Sequence, residues 1–167
     1  MSVQRFPAYL HLLAPRGADQ AREAVPAPPA FETDHATGVA TRHALLDRLE
    51  AMGQLAPNAP LSFVVVKVAG LNRGDTKALK TIARRLRELT RGTDVVGRLT
   101  GTTFGIALQG TGVTAAGAVA ARLTHHLNRL AELPPSVCVT VSAATGTGQN
   151  ADTLPVAAMD TFEPCCG

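Results

Sequence analysis

The stretch Arg91–Gly105 and its continuation to Gln109 set the tightest limit on what this chain can fold into. Two apolar runs, Val95–Leu99 and Phe104–Leu108, flank the small, polar Thr100-Gly101-Thr102-Thr103. Runs this short, bounded by turn residues, read as strands, and a tight polar link between them makes them antiparallel neighbours. A β-hairpin at the centre of the domain is the expectation, and the remaining elements must be arranged around it.

Leu61–Ala69 supplies the third strand. Phe63, Val64, Val65, Val66 and Val68 form a nearly continuous apolar run, the pattern of a central strand buried on both faces. Thr76–Leu89 is an amphipathic helix, with Leu79, Ile82, Ala83, Leu86 and Leu89 on one face and Lys77, Lys80, Arg84, Arg85, Arg87 and Glu88 elsewhere. Its basic face reads as solvated. Asp75 precedes it as the expected N-cap. A second helix, Thr114–Leu130, follows the hairpin and is stopped by Pro134-Pro135; Val137–Ser142 then alternates as a strand. Ahead of these, Thr41 is placed to cap a helix with Ala44, Leu45, Leu49 and Met52 inward, and Ala151–Phe162 reads as a last short helix. Strand, helix, strand, strand, helix, strand is the split βαβ order of a ferredoxin-like palm. The expected class is α/β in the α+β sense, with a mainly antiparallel central sheet flanked by helices.

Composition bounds the rest. With 167 residues, 46% of them hydrophobic, the chain can bury one respectable core, so one domain with a tail is expected. The tail is residues 1–32, an irregular or disordered arm carrying Pro7, Pro15, Pro26, Pro28 and Pro29, whose Phe6, Tyr9 and Leu10 have the option of docking on the domain, residues 33–167. A net charge of +3 suits an anionic ligand but also an ordinary solvated surface. Aromatic residues do not interleave with the basic ones as a single-strand groove requires, so nucleic acid is not an expected partner. No apolar run approaches the ~18 residues needed to span a bilayer, and Tyr9–Leu13 is too short and too broken for a signal-peptide core; the expectation is a cytoplasmic protein with no membrane partner. Cys138, Cys165 and Cys166 offer no CxxC pair and no zinc spacing with His125 and His126.

The central hairpin resembles the signature of the GGDEF family, the diguanylate cyclases, Arg-x-x-Asp-x-x-x-Arg-Leu-Gly-Gly-Asp/Glu-Glu-Phe-x-Ile/Val. Arg91, Asp94, Arg98, Leu99, Gly101 and Phe104 fall on that pattern without a gap, whereas Thr100, Thr102 and Thr103 replace its first glycine and both acidic residues. Asp34, Thr37, Gly38 and Arg42 are similar to the Asp-x-Leu-Thr-Gly-Leu-x-Asn-Arg element that begins the family's domains, with Thr41 in place of its asparagine. The resemblance extends over about Thr33 to Phe162. It places Lys67 and Ala69 where the family has Asp-x-Asp, the first member of which holds magnesium. The loop after that strand is shortened to Leu71-Asn72-Arg73-Gly74-Asp75, with Asp75 matching the family's guanine-contacting aspartate.

The resemblance implies a degenerate domain. Cyclising GTP needs metal ions that neutralise the phosphates and position both oxygens of an in-line displacement, and magnesium wants hard carboxylate oxygens. Lys67, Ala69, Thr102 and Thr103 supply none, so no cyclase activity, no magnesium and no other cofactor are expected. The family's second site, an Arg-x-x-Asp that binds the product cyclic di-GMP, is matched by Arg91 and Asp94. A guanidinium fork bonds a phosphate or the Hoogsteen edge of guanine, and a carboxylate accepts from guanine's N1–H and amino group. Two such contacts at ~1–3 kcal/mol each fall short of the ~8 kcal/mol of micromolar binding. Arg87, Arg98, an arginine of a second copy, or stacked ligands would have to add to them. A purely structural role for the dyad stays open, since an arginine suits a helix C-terminus and an aspartate closes turns without any ligand. Three functions compete: a catalytically inactive cyclic di-GMP receptor; a nucleotide-independent protein-interaction or dimerisation module on the same fold; and GTP binding without turnover through Thr37, Gly38 and Asp75.

Overall fold

The computed structural model describes residues 32–72 and 74–162. The proline-rich arm up to Phe31, Arg73 and the Cys165-Cys166 pair lie outside the described residues. In chain order the elements are α1 (Arg42–Leu55), β1 (Pro60–Ala69), α2 (Thr76–Leu89), β2 (Val95–Thr100), β3 (Thr103–Gln109), α3 (Val113–Leu127), β4 (Cys138–Thr147), a 3₁₀ turn (Gly148–Asn150) and α4 (Leu154–Asp160). The four strands form one antiparallel sheet in the order β2-β3-β1-β4. This is the expected palm.

β1 divides the interior in two. Its residues from Leu61 to Val66 are all buried. Because successive side chains point to opposite faces, Val64, Val66 and Val68 join Leu79, Ile82 and Leu86 of α2 and Leu123 and Leu127 of α3 in one core. Leu61, Phe63 and Val65 join Leu45, Leu49 and Met52 of α1 and Leu154 and Ala158 of α4 in the other. Helices α2 and α3 therefore cover one face of the sheet, and α1 and α4 the other. The single polar side chain facing inward from this run, Ser62, is bonded by its hydroxyl to the Thr111 carbonyl and the Thr145 hydroxyl, both at 2.7 Å.

Several boundaries depart from the sequence reading. α3 ends at Leu127 rather than Leu130. The amide of Asn128 binds the backbone of Val139 in both directions, at 2.9 Å each, so the residue after the helix is spent on β4. β4 runs five residues beyond Ser142 because Ala143–Thr147 pair with Val64–Pro60 of β1; their small side chains carry no alternating signal. α4 has only seven residues, with Pro155 in its first turn, and Ala151 to Thr153 form the preceding turn. Thr41 does cap α1, its hydroxyl accepting from the Ala44 N–H. Asp75 stands at the cap position of α2 without using its side chain there; the carboxylate instead accepts from the Asn72 N–H at 2.7 Å and closes the shortened loop.

The hairpin is fixed by close backbone approach. A Cβ on Gly105 would stand 2.7 Å from Phe63 and 2.8 Å from Leu45, both rooted in the core under α1. Gly117 lies in α3 with open space around it. The same substitution should thus act in opposite directions at the two sites. Gly105→Ala is expected to destabilise by about 1–3 kcal/mol through overpacking, and Gly117→Ala to stabilise by about 0.5–1 kcal/mol through helix propensity. Urea unfolding of both variants beside the parent measures the pair.

Candidate functional site

α2 stops at Leu89 for local reasons. Thr90 takes extended backbone angles, and its hydroxyl donates back to the carbonyls of Leu86 and Arg87 at 2.9 and 3.3 Å. Arg122 of α3 donates to the Leu89 carbonyl at 2.7 Å, satisfying another orphaned acceptor of the helix end. The chain then turns through Arg91–Asp94, closed by reciprocal bonds: Asp94 N–H donates to the Arg91 carbonyl at 3.0 Å, and Arg91 N–H to Asp94 Oδ2 at 2.9 Å. β2 begins directly after this turn.

The dyad singled out in the sequence is thus brought together, with unequal exposure. Arg91 is exposed and Asp94 half-buried. Asp94 Oδ1 is turned inward and lacks a hydrogen-bond partner of standard geometry, while the Gln109 N–H lies close enough to favour the charge of the carboxylate. Burial pushes the Asp94 carboxyl above its ordinary value, against the opposing pull of the Arg91 and Gln109 N–H groups and the positive charges of Arg91 and Arg122. Arg122 was missing from the sequence reading: it belongs to another helix, and no local pattern marks it. Arg87 is exposed in the last turn of α2, one helical turn before Arg91 in sequence. It also lines a cavity of about 380 Å³ with Thr37, Arg84 and Glu88.

Arg98 is not gathered with the dyad. Its guanidinium grips the hairpin turn, with Nε and one Nη donating to the Gly101 carbonyl at 3.0 and 2.6 Å, while the other Nη pairs with Asp34 Oδ1 at 3.0 Å. The loop Asp34–Val39 is closed on itself, with Thr37 donating to Asp34 Oδ1 through both N–H and hydroxyl and Gly38 in a left-handed conformation. Ala40 then bonds β2 on both sides of Gly97. Arg98, Leu99, Thr100 and Gly101 border a second cavity of about 330 Å³ with Asp34, Thr41 and Arg42. Burial works against the charge of Asp34, but the Thr37 and Arg98 hydrogen bonds and the Arg98 charge together hold its carboxyl below the ordinary value.

The positions compared with acidic residues also converge. Lys67 of β1 lies directly opposite Thr103 of β3, Thr102 occupies the adjoining turn, and Ala69, two residues on at the same end of β1, pairs with Cys138. Thr103 is buried, and the Lys67 ammonium lies 5.1 Å from the centre of the Phe162 ring. A cation stacked on an aromatic face and two hydroxyls do not make a divalent-metal site. Among the described residues no group of three or more His, Cys, Asp or Glu side chains is arranged to hold a metal ion. Magnesium does not fit the residues present.

The sequence model described as "Diguanylate cyclase, GGDEF domain" matches residues 31–152. The chain belongs to the GGDEF family. No curated protein matches the sequence. Solved GGDEF structures resemble the fold. The diguanylate cyclase SiaD of Pseudomonas aeruginosa, solved with its activator SiaC, shares 21% identity at a TM-score of 0.64, over 95% of this chain and 66% of its own. This GGDEF chain therefore spans just under two thirds of that protein. The FimX GGDEF domain, also from Pseudomonas aeruginosa, shares 18% identity at a TM-score of 0.66, covering 78% of this chain and 93% of its own. The GGDEF domain of DgcB from Caulobacter crescentus, in complex with cyclic di-GMP, shares 12% at 0.65, over 81% and 90%. Cyclic di-GMP and a protein activator thus occur among complexes of structures that share this fold.

The Arg98–Asp34 pair gives a pH signature for the GGDEF domain here. A carboxyl held below its ordinary value stabilises the fold above that value and loses the contribution as the pH falls through the lowered one. Asp34→Asn is expected to cost about 1–2 kcal/mol at neutral pH, allowing for partial exposure. The gap between parent and variant should narrow on acidification below the ordinary aspartate range, as read by urea unfolding across pH.

Proposed function

We propose that this GGDEF domain is a degenerate, catalytically inactive cyclic di-GMP receptor that acts in the cytoplasm. The observation that carries the reading is a turn that sets an exposed Arg91 beside the half-buried Asp94, whose carboxylate accepts from the Arg91 backbone N–H through one oxygen and has its other oxygen unsatisfied, with the positive charges of Arg91 and Arg122 acting on it. Phosphates suit the guanidinium groups, and the N1–H and amino edge of guanine suits the carboxylate. An inward, unpartnered carboxylate oxygen costs about 1–3 kcal/mol. A guanine edge that draws Asp94 outward recovers part of that cost. The DgcB complex with cyclic di-GMP makes the dinucleotide the first ligand to try.

Inactivity rests on the donor set. Lys67, Ala69, Thr102 and Thr103 offer no carboxylate for a metal ion, and an ammonium at Lys67 repels one. The residues for GTP fare no better: Thr37 donates to Asp34, and Asp75 holds the Asn72 N–H. Arg98 has its guanidinium committed to Asp34 and Gly101, which leaves Arg87 of the supporting cations expected from the sequence, with Arg122 added beside it, one Nη of which donates to the Leu89 carbonyl. A nucleotide-independent interaction module is the second reading. It is favoured by Val156 and Met159, exposed one turn apart on α4 at 63% and 42%, and by the SiaD–SiaC complex.

Titration calorimetry tests the receptor reading. The parent is expected to bind cyclic di-GMP, and Arg91→Ala and Asp94→Asn to weaken binding at least roughly tenfold each, one lost charge-assisted contact apiece. Affinity should fall on acidification, starting above the ordinary aspartate range, because only the ionised Asp94 accepts through both oxygens with charge assistance and its carboxyl is raised. No heat with the parent would leave the interaction reading. Formation of cyclic di-GMP from GTP with magnesium or manganese would overturn inactivity.

A further inference from the structure

The cations of the described residues are not spread evenly. Helices α2 and α3 cover the same face of the sheet and are tied side by side by the Arg122 bond to the Leu89 carbonyl and by Arg84 with Glu132 at 4.0 Å. Together with the turn after α2 and the segment after α3 they carry eight lysines and arginines against Asp75, Glu88, Glu132 and the half-buried Asp94. The other described residues carry four cations against six carboxylates. The domain is therefore polarised, positive on one side of the sheet.

Within that face, Lys77, Lys80, Arg84 and Arg87 follow one another at steps of three and four residues, all exposed. Such steps place side chains along one side of a helix, here over about 15 Å. The apolar side of α2 is fully consumed by the core. Among the described residues no carboxylate pairs with Lys77, Lys80 or Arg87, whereas Arg84 and Arg85 share Glu88.

We infer that the outer face of α2 and α3 docks on an anionic lipid bilayer. Charge complementarity selects this occupant. A specific protein interface needs an apolar centre to desolvate, and the exposed large apolar residues Leu55, Val156 and Met159 belong to α1 and α4 on the opposite face; Val113 stands at the first position of α3. A row of cations with nothing apolar between them gains from charge alone, and anionic headgroups, being mobile, gather beneath cations wherever these stand. Duplex DNA offers phosphates at fixed spacing, and α2 is flanked by α3 rather than free to enter a groove. The contact is peripheral: among the described residues no helix is long and apolar enough to cross a membrane.

Co-sedimentation of the full chain with vesicles tests the surface. The parent should bind vesicles of phosphatidylcholine mixed with phosphatidylglycerol, release them at high salt, and ignore phosphatidylcholine alone. Lys77→Gln with Lys80→Gln, two exposed changes remote from Arg91 and Asp94, should lower partitioning roughly thirtyfold. Arg42→Gln with Lys67→Gln removes the same net charge from the other side of the sheet and should change it far less. Equal losses from the two pairs would reduce the effect to net charge and overturn the inference, as would no binding by the parent at low salt. Tighter binding to duplex DNA than to the anionic vesicles at equal salt would replace lipid by nucleic acid and overturn it too. Circular dichroism melts of both double variants establish that they fold.

Discussion

Everything in this domain is referred to β1, a strand whose side chains are buried on both faces. Val64, Val66 and Val68 anchor α2 and α3, and Leu61, Phe63 and Val65 anchor α1 and α4. A strand with no face left for water must lie inside a sheet, and β3 and β4 flank it over almost its whole length. The hairpin then occupies one side because β3 pairs with β1. β2 is left at the edge, where the backbone of Ala40 covers part of its open hydrogen-bonding groups. The cavity bordered by Arg98–Gly101 forms where the Asp34 loop and the start of α1 meet that edge strand, and the other lies between the same loop and the end of α2.

Legibility in the sequence followed the strength of the local signal. α2 was bounded correctly because a polar, basic face and an apolar face alternate along it without interruption. β1 was legible from its valines. The end of β4 was not, since Ala143, Ala144 and Gly146 carry too little hydrophobicity to distinguish strand from loop, and their pairing is decided by β1. The early end of α3 was hidden for a related reason: Asn128 leaves the helix to bind Val139, a partner eleven residues away. Among site residues, the Arg91 to Asp94 spacing was local and readable. The contact between Arg98 and Asp34 spans sixty-four positions, and Arg122 reaches the end of α2 from another helix. Neither leaves a trace in a window of neighbouring residues.

Arg98 shows how a motif can persist for its frame. Its guanidinium bonds the carbonyl inside the hairpin turn and the aspartate of the Asp34 loop at once, so it adds a polar tie between two segments that are also joined through Ala40 and through the packing of Val39 with Val96. Arg98 and Asp34 are both half-buried. Removing one partner leaves the other partly desolvated and without its hydrogen bonds. That constraint acts on the fold whether or not the neighbouring Thr102 and Thr103 perform chemistry. The contact of the Lys67 ammonium with the Phe162 ring likewise ties the end of β1 to the segment after α4.

Asp94 differs from Asp34 in how its surroundings treat charge. The hydrogen bonds and the guanidinium around Asp34 outweigh burial, so that carboxylate is complete within the fold. At Asp94 burial wins: one oxygen accepts only from the Arg91 N–H, the other finds no partner, and the nearby arginines lower the cost of the charge without removing it. The incomplete satisfaction of Asp94, beside an exposed Arg91, is the feature on which the proposed receptor reading rests.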